Sequence, residues 1–335
     1  MNPQPPLSQQ ILQPHHQHRH RVYDITRDAQ EKDCLDNVLH VILVLFHPRS
    51  QRTLYKHAQE SLNRLSQDAR VVLYVVELCY KHQSFVLTSP ENPRHLQIRT
   101  DSPFLWHYEN LVNIGVQRLL PPDWKAVAWI SPDIEFENAF WAQQTLQLLN
   151  GTFDVVQLFS HCINMNTSEY AIQIFNSAGY YHEKGLVYCG EGVNYWHPGF
   201  GWAIRREAYD QIGGLYELAI RGSGENILLF SLLGFGENAV NELHTDGYKK
   251  TILDYQNRVK GLEYGQGDGR QLSFGYVPGV LRHYYHPPNN ETAWKILVRH
   301  QYDPTIHMTK NAEGLLVPSE QCPKELLKDI EKSFY

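Results

Sequence analysis

Apolar runs alternate with helically spaced apolar stripes along the first half of the chain. Residues 37–46 (NVLHVILVLF) and 71–78 (VVLYVVEL) are almost continuously apolar and short, the pattern of strands buried on both faces. Between them Leu54, Ala58, Leu62 and Leu65 recur at helical spacing. Strand, helix and strand with short connections predict the opening of a parallel α/β sheet. Residues 102–119 read as a further helix, with Leu105, Leu111, Val112, Ile114, Val116 and Leu119 apolar, and Pro121-Pro122 ends it. Residues 125–130 (KAVAWI) predict a central strand, which Ser131-Pro132-Asp133 terminates because proline donates no ladder hydrogen bond. A helix over 138–149 and a strand over 154–160 follow.

The second half is less regular. Residues 161–195 are polar, glycine-punctuated and rich in tyrosine, and predict a long loop of the kind that is functional or mobile. A strand carrying Trp202 leads into a helix that begins near Arg206, reaches Ile212 and is closed by Gly213-Gly214. Residues 227–233 form an apolar helix and 239–260 one helix or two. Residues 275–281 form a strand, and 295–335 a helix, a turn at Tyr302-Asp303-Pro304 and a final amphipathic helix. Residues 1–35 read as a polar, poorly ordered lead-in; its His15, His16, His18 and His20 are solvated tail residues rather than a metal site.

Composition narrows the class. The 335 residues suffice for one large α/β domain, and 30 basic against 36 acidic residues give a net charge of −6. There is no basic domain or lysine-rich arm, which argues against a nucleic-acid partner. No stretch approaches eighteen consecutive apolar residues, so no integral membrane segment is expected, and the first twenty residues lack the apolar core of a signal peptide. The five cysteines form no C-x-x-C pair. Cys79 lies within an apolar strand, as a reduced core thiol would, and a cytoplasmic location is the expectation.

Candidate chemistry gathers at strand ends. Asp133 and Glu135 sit just past the carboxyl end of a buried strand, where open α/β sheets place ligands, and such an acidic pair suits a divalent cation bridging to phosphate oxygens. An acidic turn beside the next helix is the bland alternative. His47, Arg49 and Glu77 end the first two strands and would face the same ligand edge, or simply stabilise turns. No G-x-G-x-x-G or P-loop follows the first strand, which excludes the usual dinucleotide and P-loop sites. Tyr195, Trp196 and Trp202 suit stacking on sugar rings, while Gly199 and Gly224 let backbone approach a ligand closely. Glu225, between a glycine-rich loop and an apolar helix, is either a general base or a carboxylate favouring the positive helix end. His283 and His286 follow a late strand and can supply an imidazole to a metal.

Three blocks together resemble glycosyltransferases of the GT-A fold, the nucleotide-sugar-dependent class, over roughly residues 37–310. WISPDIEF (129–136) is similar to the W-I-D-x-D-x-x-F block that contains the metal-binding D-x-D. HPGFGWAIRREAYDQIGGLYELAIRGSGENILL (197–229) resembles the acceptor-side block of galactosyltransferase-like enzymes, where G-G-L precedes G-x-G-D or G-x-G-E. GYVPGVLRHYYHPP (275–288) resembles the late H-x-x-H segment. Ser131 stands where the first aspartate of D-x-D is found, leaving Asp133 for the metal, and Glu225 takes the place of the commoner aspartate.

The resemblance implies a mixed, mainly parallel sheet flanked by helices. It also implies one catalytic domain with a nucleotide-binding half over 36–160 and an acceptor-binding half over 161–310, followed by a helical tail over 311–335. It implies Mn2+ or Mg2+ on Asp133 with His283 or His286, a UDP-linked sugar donor, and a glycan or other hydroxyl acceptor. Glu225 would be the base, with inversion at the anomeric carbon. The replacement at Ser131 keeps a catalytically inactive sugar- or nucleotide-sugar-binding relative as the alternative.

Overall fold

A computed structural model describes residues 24–46, 52–192, 194–262, 270–284 and 293–334. In chain order, α1 (Ile25–Glu31) precedes β1 (Leu39–Phe46), α2 (Arg52–Leu65), β2 (Val71–Tyr80), β3 (His95–Thr100), α3 (Tyr108–Leu119), β4 (Ala126–Ile130), β5 (Ile134–Phe136) and α4 (Trp141–Leu149). The chain continues through β6 (Val155–Gln157), β7 (His161–Met165), β8 (Ala171–Asn176), α5 (Ala178–Glu183), β9 (Gly201–Arg205), α6 (Arg206–Ile212), α7 (Gly224–Leu233) and α8 (Asp246–Val259). The last elements are β10 (Phe274–Tyr276), β11 (Val280–His283), α9 (Ala293–Arg299), α10 (Pro304–His307), β12 (Met308–Lys310), β13 (Leu316–Pro318) and α11 (Lys324–Lys332).

The central sheet has seven strands in the order β10-β6-β9-β4-β1-β2-β3. Only β9 runs against its neighbours β4 and β6, so the sheet is mixed and mainly parallel, as the apolar runs and the resemblance imply. Its strands read as continuous apolar runs because helices cover both faces. Ile42, Val76, Val127, Trp129, Trp202 and Ile204 face the layer that holds α3, α7 and α8. Leu43, Val75, Ala128, Ile130 and Ala203, one position out of phase, face α1 and α4 on the other side. Helix α3 lies close on β1 and β2 at Gly115, where a Cβ would stand 3.0 Å from Val76 Cγ2 and 3.2 Å from Ile42.

Several expectations are corrected. Residues 24–35 are not an unordered lead-in: α1 docks Ile25 and Ala29, four residues apart, into the layer of α4, and the Thr152 hydroxyl donates to Asp28 at 3.0 Å. Residues 161–195 are not one long loop, since they supply β7, β8 and α5. Strands β7 and β8 belong to a second sheet, in the order β5-β11-β7-β8, standing at the end of β4. Ile172 and Ile174 along β8 are exposed, as is Tyr170 just before it, so the apolar alternation that identifies a half-buried strand is displayed outward. The expected strand over 275–281 is two strands in different sheets, β10 in the first and β11 in the second, separated at Pro278-Gly279. Helix α3 starts at Tyr108 rather than 102, and the β12–β13 hairpin interrupts the helical tail. No helix is long and apolar enough to cross a membrane among the described residues.

Candidate active site

The second sheet carries the chain of β4 straight into the site. Ile130 is the last residue of β4, and the Ser131 N–H donates to the Phe200 carbonyl at 2.8 Å, tying the turn to the segment that precedes β9. Asp133 follows, 5 % exposed, immediately before β5. Strand β11 pairs antiparallel with β5 and parallel with β7, so His283 lies opposite Ile134 on one side and Asn164 on the other. That register brings the His283 imidazole beside Asp133, with Nε2 3.5 Å from Oδ2. The other ring nitrogen, Nδ1, lies 2.9 Å from Asn164 Oδ1. An amide oxygen only accepts, so Nδ1 carries a hydrogen toward Asn164 and Nε2 is the ring nitrogen that faces Asp133. The Tyr284 N–H closes the corner on the Asp133 carbonyl at 2.9 Å.

Asp133 and His283 are two groups of the kinds that ligate divalent cations, and the second imidazole nitrogen is anchored by a side chain that fixes ring orientation. Among the described residues no third histidine, cysteine or carboxylate completes the set; His286 lies outside the described residues, as do His47 and Arg49. Glu135 turns elsewhere, accepting from the Tyr284 hydroxyl at 2.5 Å, with Arg64 at 3.9 Å.

A ladder of rings backs His283. Phe200 stacks on it with centroids 4.2 Å apart, His197 stacks on Phe200 at 4.2 Å, and Phe175 on His197 at 4.6 Å. Burial, then the neighbouring His283, pulls the His197 imidazole down to about 3, so this ring is neutral at physiological pH. Phe200 holds φ of +81°, and Ser223, just before α7, holds +86°. Left-handed backbone at residues with a Cβ is costly and concentrates where a site must be shaped.

The second acidic centre meets the backbone of Gly199 and Phe200. Glu225 stands in the first turn of α7, and a Cβ on Gly199 would come within 2.9 Å of its Oε2, so this glycine is what allows the carboxylate to lie against the backbone. Burial, then the charge of Glu109, raises the Glu225 carboxyl well above the ordinary range. The backbone N–H of Phe200 and the indole N–H of Trp129 favour its charged form, but Oε1 has no hydrogen-bond partner among the described residues. Glu109, 4 % exposed in the first turn of α3, is pushed up to about 7 by burial. Its Oε2 accepts from the Trp106 indole at 3.0 Å, and its carboxyl rests so tightly on the Gly224 backbone that a Cβ there would collide with Oε1, Cδ and Cγ. The Tyr108 hydroxyl is buried, and burial first, then the charges of Glu225, Glu109 and Asp133, raise it well above its ordinary range.

Other expected residues divide. Tyr195 remains at the site, half-buried, its hydroxyl pushed up to about 12 by burial and the nearby Glu225. Trp196 and Trp202 are not sugar platforms, and this corrects the stacking expectation. Trp196 is packed into the core on Tyr181, with centroids 5.7 Å apart, and Trp202 is wholly buried opposite Trp129, its indole donating to the Pro198 carbonyl at 2.7 Å. Glu77 is likewise corrected from ligand to turn residue. It accepts from the backbone N–H groups of Val86, Leu87 and Thr88 at 2.8–3.2 Å and from the Thr88 hydroxyl at 2.6 Å, which occupies both carboxylate oxygens. Two surface cavities, of about 380 and 730 Å³, are lined by residues other than Asp133, His283, Glu109 and Glu225.

The sequence reading assigned no site role to Glu109, Tyr108 or Asn164. Glu109 left a trace, an acidic residue in the first turn of an otherwise apolar helix. Asn164 left none, because its importance depends on a strand register between segments far apart in the chain.

No protein-family model and no curated protein sequence matches the chain. Solved structures with a similar course include the catalytic domain of Drosophila beta1,4galactosyltransferase 7 in complex with xylobiose, at 12 % identity, TM-score 0.38, covering 88 % of this chain and 98 % of that one. A mutant of the same enzyme in complex with manganese, UDP-Gal and xylobiose is similar at 12 % identity and TM-score 0.40, over 88 % of this chain and 99 % of that one. Mannosyltransferase PcManGT from Pyrobaculum calidifontis, in complex with GDP-Man and Mn2+, is similar at 10 % identity and TM-score 0.37, over 83 % and 66 %. At these values the likenesses carry no argument about activity; the residues of the site must carry it.

Proposed function

We propose that the protein is a glycosyltransferase that moves a sugar from a nucleotide diphosphate sugar, UDP-linked, to a hydroxyl of a glycan or related acceptor. The observation that supports this reading is the meeting of two different acidic centres beyond the carboxyl ends of the central strands. Asp133 and His283 Nε2 lie 3.5 Å apart with Phe200 stacked on the imidazole, and Glu225 accepts from the Phe200 backbone N–H. The first offers two donors to a metal–diphosphate, and the second has a carboxyl oxygen without a hydrogen-bond partner among the described residues, suited to take a proton.

In this reading a divalent cation, Mn2+ or Mg2+, would be held by Asp133 and His283 and would supply positive charge to the leaving diphosphate. Glu225 as the carboxylate takes the proton of the acceptor hydroxyl. The acceptor oxygen forms its bond to the anomeric carbon while the bond to the diphosphate oxygen breaks, its electron pair leaving with the nucleotide. Attack opposite the leaving group inverts the anomeric centre. Gly199 and Gly224 keep Cβ atoms out of the space beside the two glutamates, and Tyr195 offers a hydroxyl and a ring face to the acceptor.

A thermal-shift screen of nucleotide sugars in Mn2+ tests the reading, because a ligand that binds only the folded state raises its melting temperature. Stabilisation by UDP-sugars that depends on the metal is the expected outcome. No stabilisation by any nucleotide sugar would overturn it.

A further inference from the structure

We infer that Phe334, just past the last helix, is a positioning residue for the site: its ring clamps the loop that delivers Glu225, gripping both Arg221 of that loop and the Trp106 indole that supports it. The effect on turnover rests on the proposed role of Glu225; the clamp itself does not.

The loop needs a hold from outside. Helix α7 begins at Gly224, so Glu225 stands wherever the connection from α6 sets down the chain. The last two residues of that connection, Gly222 and Ser223, hold φ of +97° and +86°. Ser223, at the helix N-cap, makes no side-chain capping bond among the described residues. Left-handed backbone at a residue with a Cβ persists only where its surroundings over-determine it.

Trp106 supplies one hold. Its backbone N–H donates to the Ile220 carbonyl at 2.9 Å, and its indole lies against Gly222, where a Cβ would stand 3.6 Å from Cδ2. The indole N–H donates to Glu109 at 3.0 Å, and Glu109 in turn rests on Gly224. Trp106 thus bears on the loop at Ile220 and Gly222 and, through Glu109, on the start of α7.

Phe334 ties Arg221 to that same support. Arg221 is 3 % exposed; its guanidinium lies over the Phe334 ring, 4.4 Å from the centroid, and donates to the Ser333 carbonyl at 3.3 Å. A cation on an aromatic face is held most strongly where water is excluded. The Phe334 ring is also nearly parallel to the Trp106 indole, at 11° with centroids 6.2 Å apart, and meets Phe104 edge-on at 4.6 Å. One ring therefore joins the loop to its support. Phe334 is delivered from a fixed helix: Leu326 and Ile330 of α11 are buried, and Asp329 is met by Arg299 at 3.1 Å and His300 at 2.8 Å. Asp133 and His283 are placed instead by β5, β11 and Asn164, so loss of the ring should move Glu225 and leave those two residues where they are.

Hydrogen-exchange mass spectrometry of the full chain, with no substrate present, tests the clamp. Phe334→Leu keeps apolar bulk and loses the aromatic face, whereas Phe334→Tyr keeps the face. In the leucine variant the amides of residues 219–226 should exchange roughly tenfold faster, the size of one such contact, while those of β1 and β4 stay as in wild type. The tyrosine variant should match wild type. Arg221→Lys, which keeps the charge and loses the planar guanidinium, should loosen the same residues. In transfer assays Phe334→Leu should lower kcat by a similar factor with metal-dependent UDP affinity unchanged. Unchanged exchange at 219–226, or faster exchange spread evenly over the chain, would overturn the clamp. Loosened exchange with wild-type kcat would overturn its positioning role. Wild type that transfers no sugar, while the loop still loosens in Phe334→Leu, would instead overturn the glycosyltransferase reading and leave the clamp standing.

Discussion

His283 Nε2 stands 3.5 Å from Asp133 Oδ2, although the two residues come from opposite halves of the chain. Three strands make that meeting: β5 begins at the residue after Asp133, β11 ends on His283, and β7 supplies Asn164 to hold the ring at 2.9 Å. Asn164→Ala frees the imidazole to rotate. It should weaken metal-dependent UDP binding by roughly tenfold to a hundredfold, as loss of an outer-shell partner does, with the melting temperature little changed. Calorimetric titration of UDP in Mn2+ checks it, and unchanged affinity would remove His283 from the metal site.

The two glycines beside the glutamates should respond differently to alanine. At Gly224 the new Cβ meets the carboxyl and Cγ of buried Glu109, which has nowhere to go. Gly224→Ala should therefore cost stability, about 1–3 kcal/mol as overpacking does, along with turnover. At Gly199 the clash is with the far end of Glu225, at 2.9 Å, and with His197 Cε1 at 3.1 Å. Gly199→Ala should keep the fold and lower kcat by displacing the carboxylate. Denaturant melts and single-turnover rates separate the two effects.

Trp202 is fully buried and bonded to Pro198 O, so Trp202→Ala should destabilise by about 3–5 kcal/mol. Trp202→Phe should fold and leave the acceptor KM unchanged. A raised KM with unaltered stability would restore Trp202 as a sugar platform.

Stability should fall with rising pH on the acid side of neutrality. Burial lifts Glu109 from about 4.5 to about 7, so between those values the folded state binds a proton that the unfolded state has released. The corresponding contribution is fully present below pH ~4.5 and is lost as pH rises through ~7, a change on the order of 3 kcal/mol. Thermal melts of wild type and Glu109→Gln from pH 4.5 to 8 check it: the difference between them should shift in favour of the glutamine variant as pH rises. Parallel curves would mean that Glu109 does not titrate in that window.

Much of this arrangement was legible in the sequence where the signal is local. The buried runs that became β1, β2 and β4, the glycine closing α6 and the acidic residue just past β4 follow from hydrophobic period, turn chemistry and the rule for strand ends. What could not be read depends on tertiary register or burial. Residues 161–195 read as loop in part because β8 turns its isoleucines to the surface, and so Asn164 on the neighbouring β7 leaves no signal. Trp202 and Trp196 looked like sugar platforms because composition does not reveal which face of a strand is inward. Glu77 looked like a ligand because the backbone N–H groups that occupy it come from the following loop. Glu109 was visible only as an unexplained acid in an apolar helix; its importance comes from α7 packing Gly224 against it.

The central claim is that Glu225 is the base of a UDP-sugar transferase whose donor is held through Asp133 and His283. The most direct measurement pairs a UDP titration, with and without Mn2+, with UDP-sugar turnover by wild type and Glu225→Gln. Metal-dependent UDP binding by both proteins, with kcat in the variant lower by roughly a hundredfold or more, is the predicted result. Tight UDP binding by wild type with no turnover of any donor, or full turnover by Glu225→Gln, would contradict it.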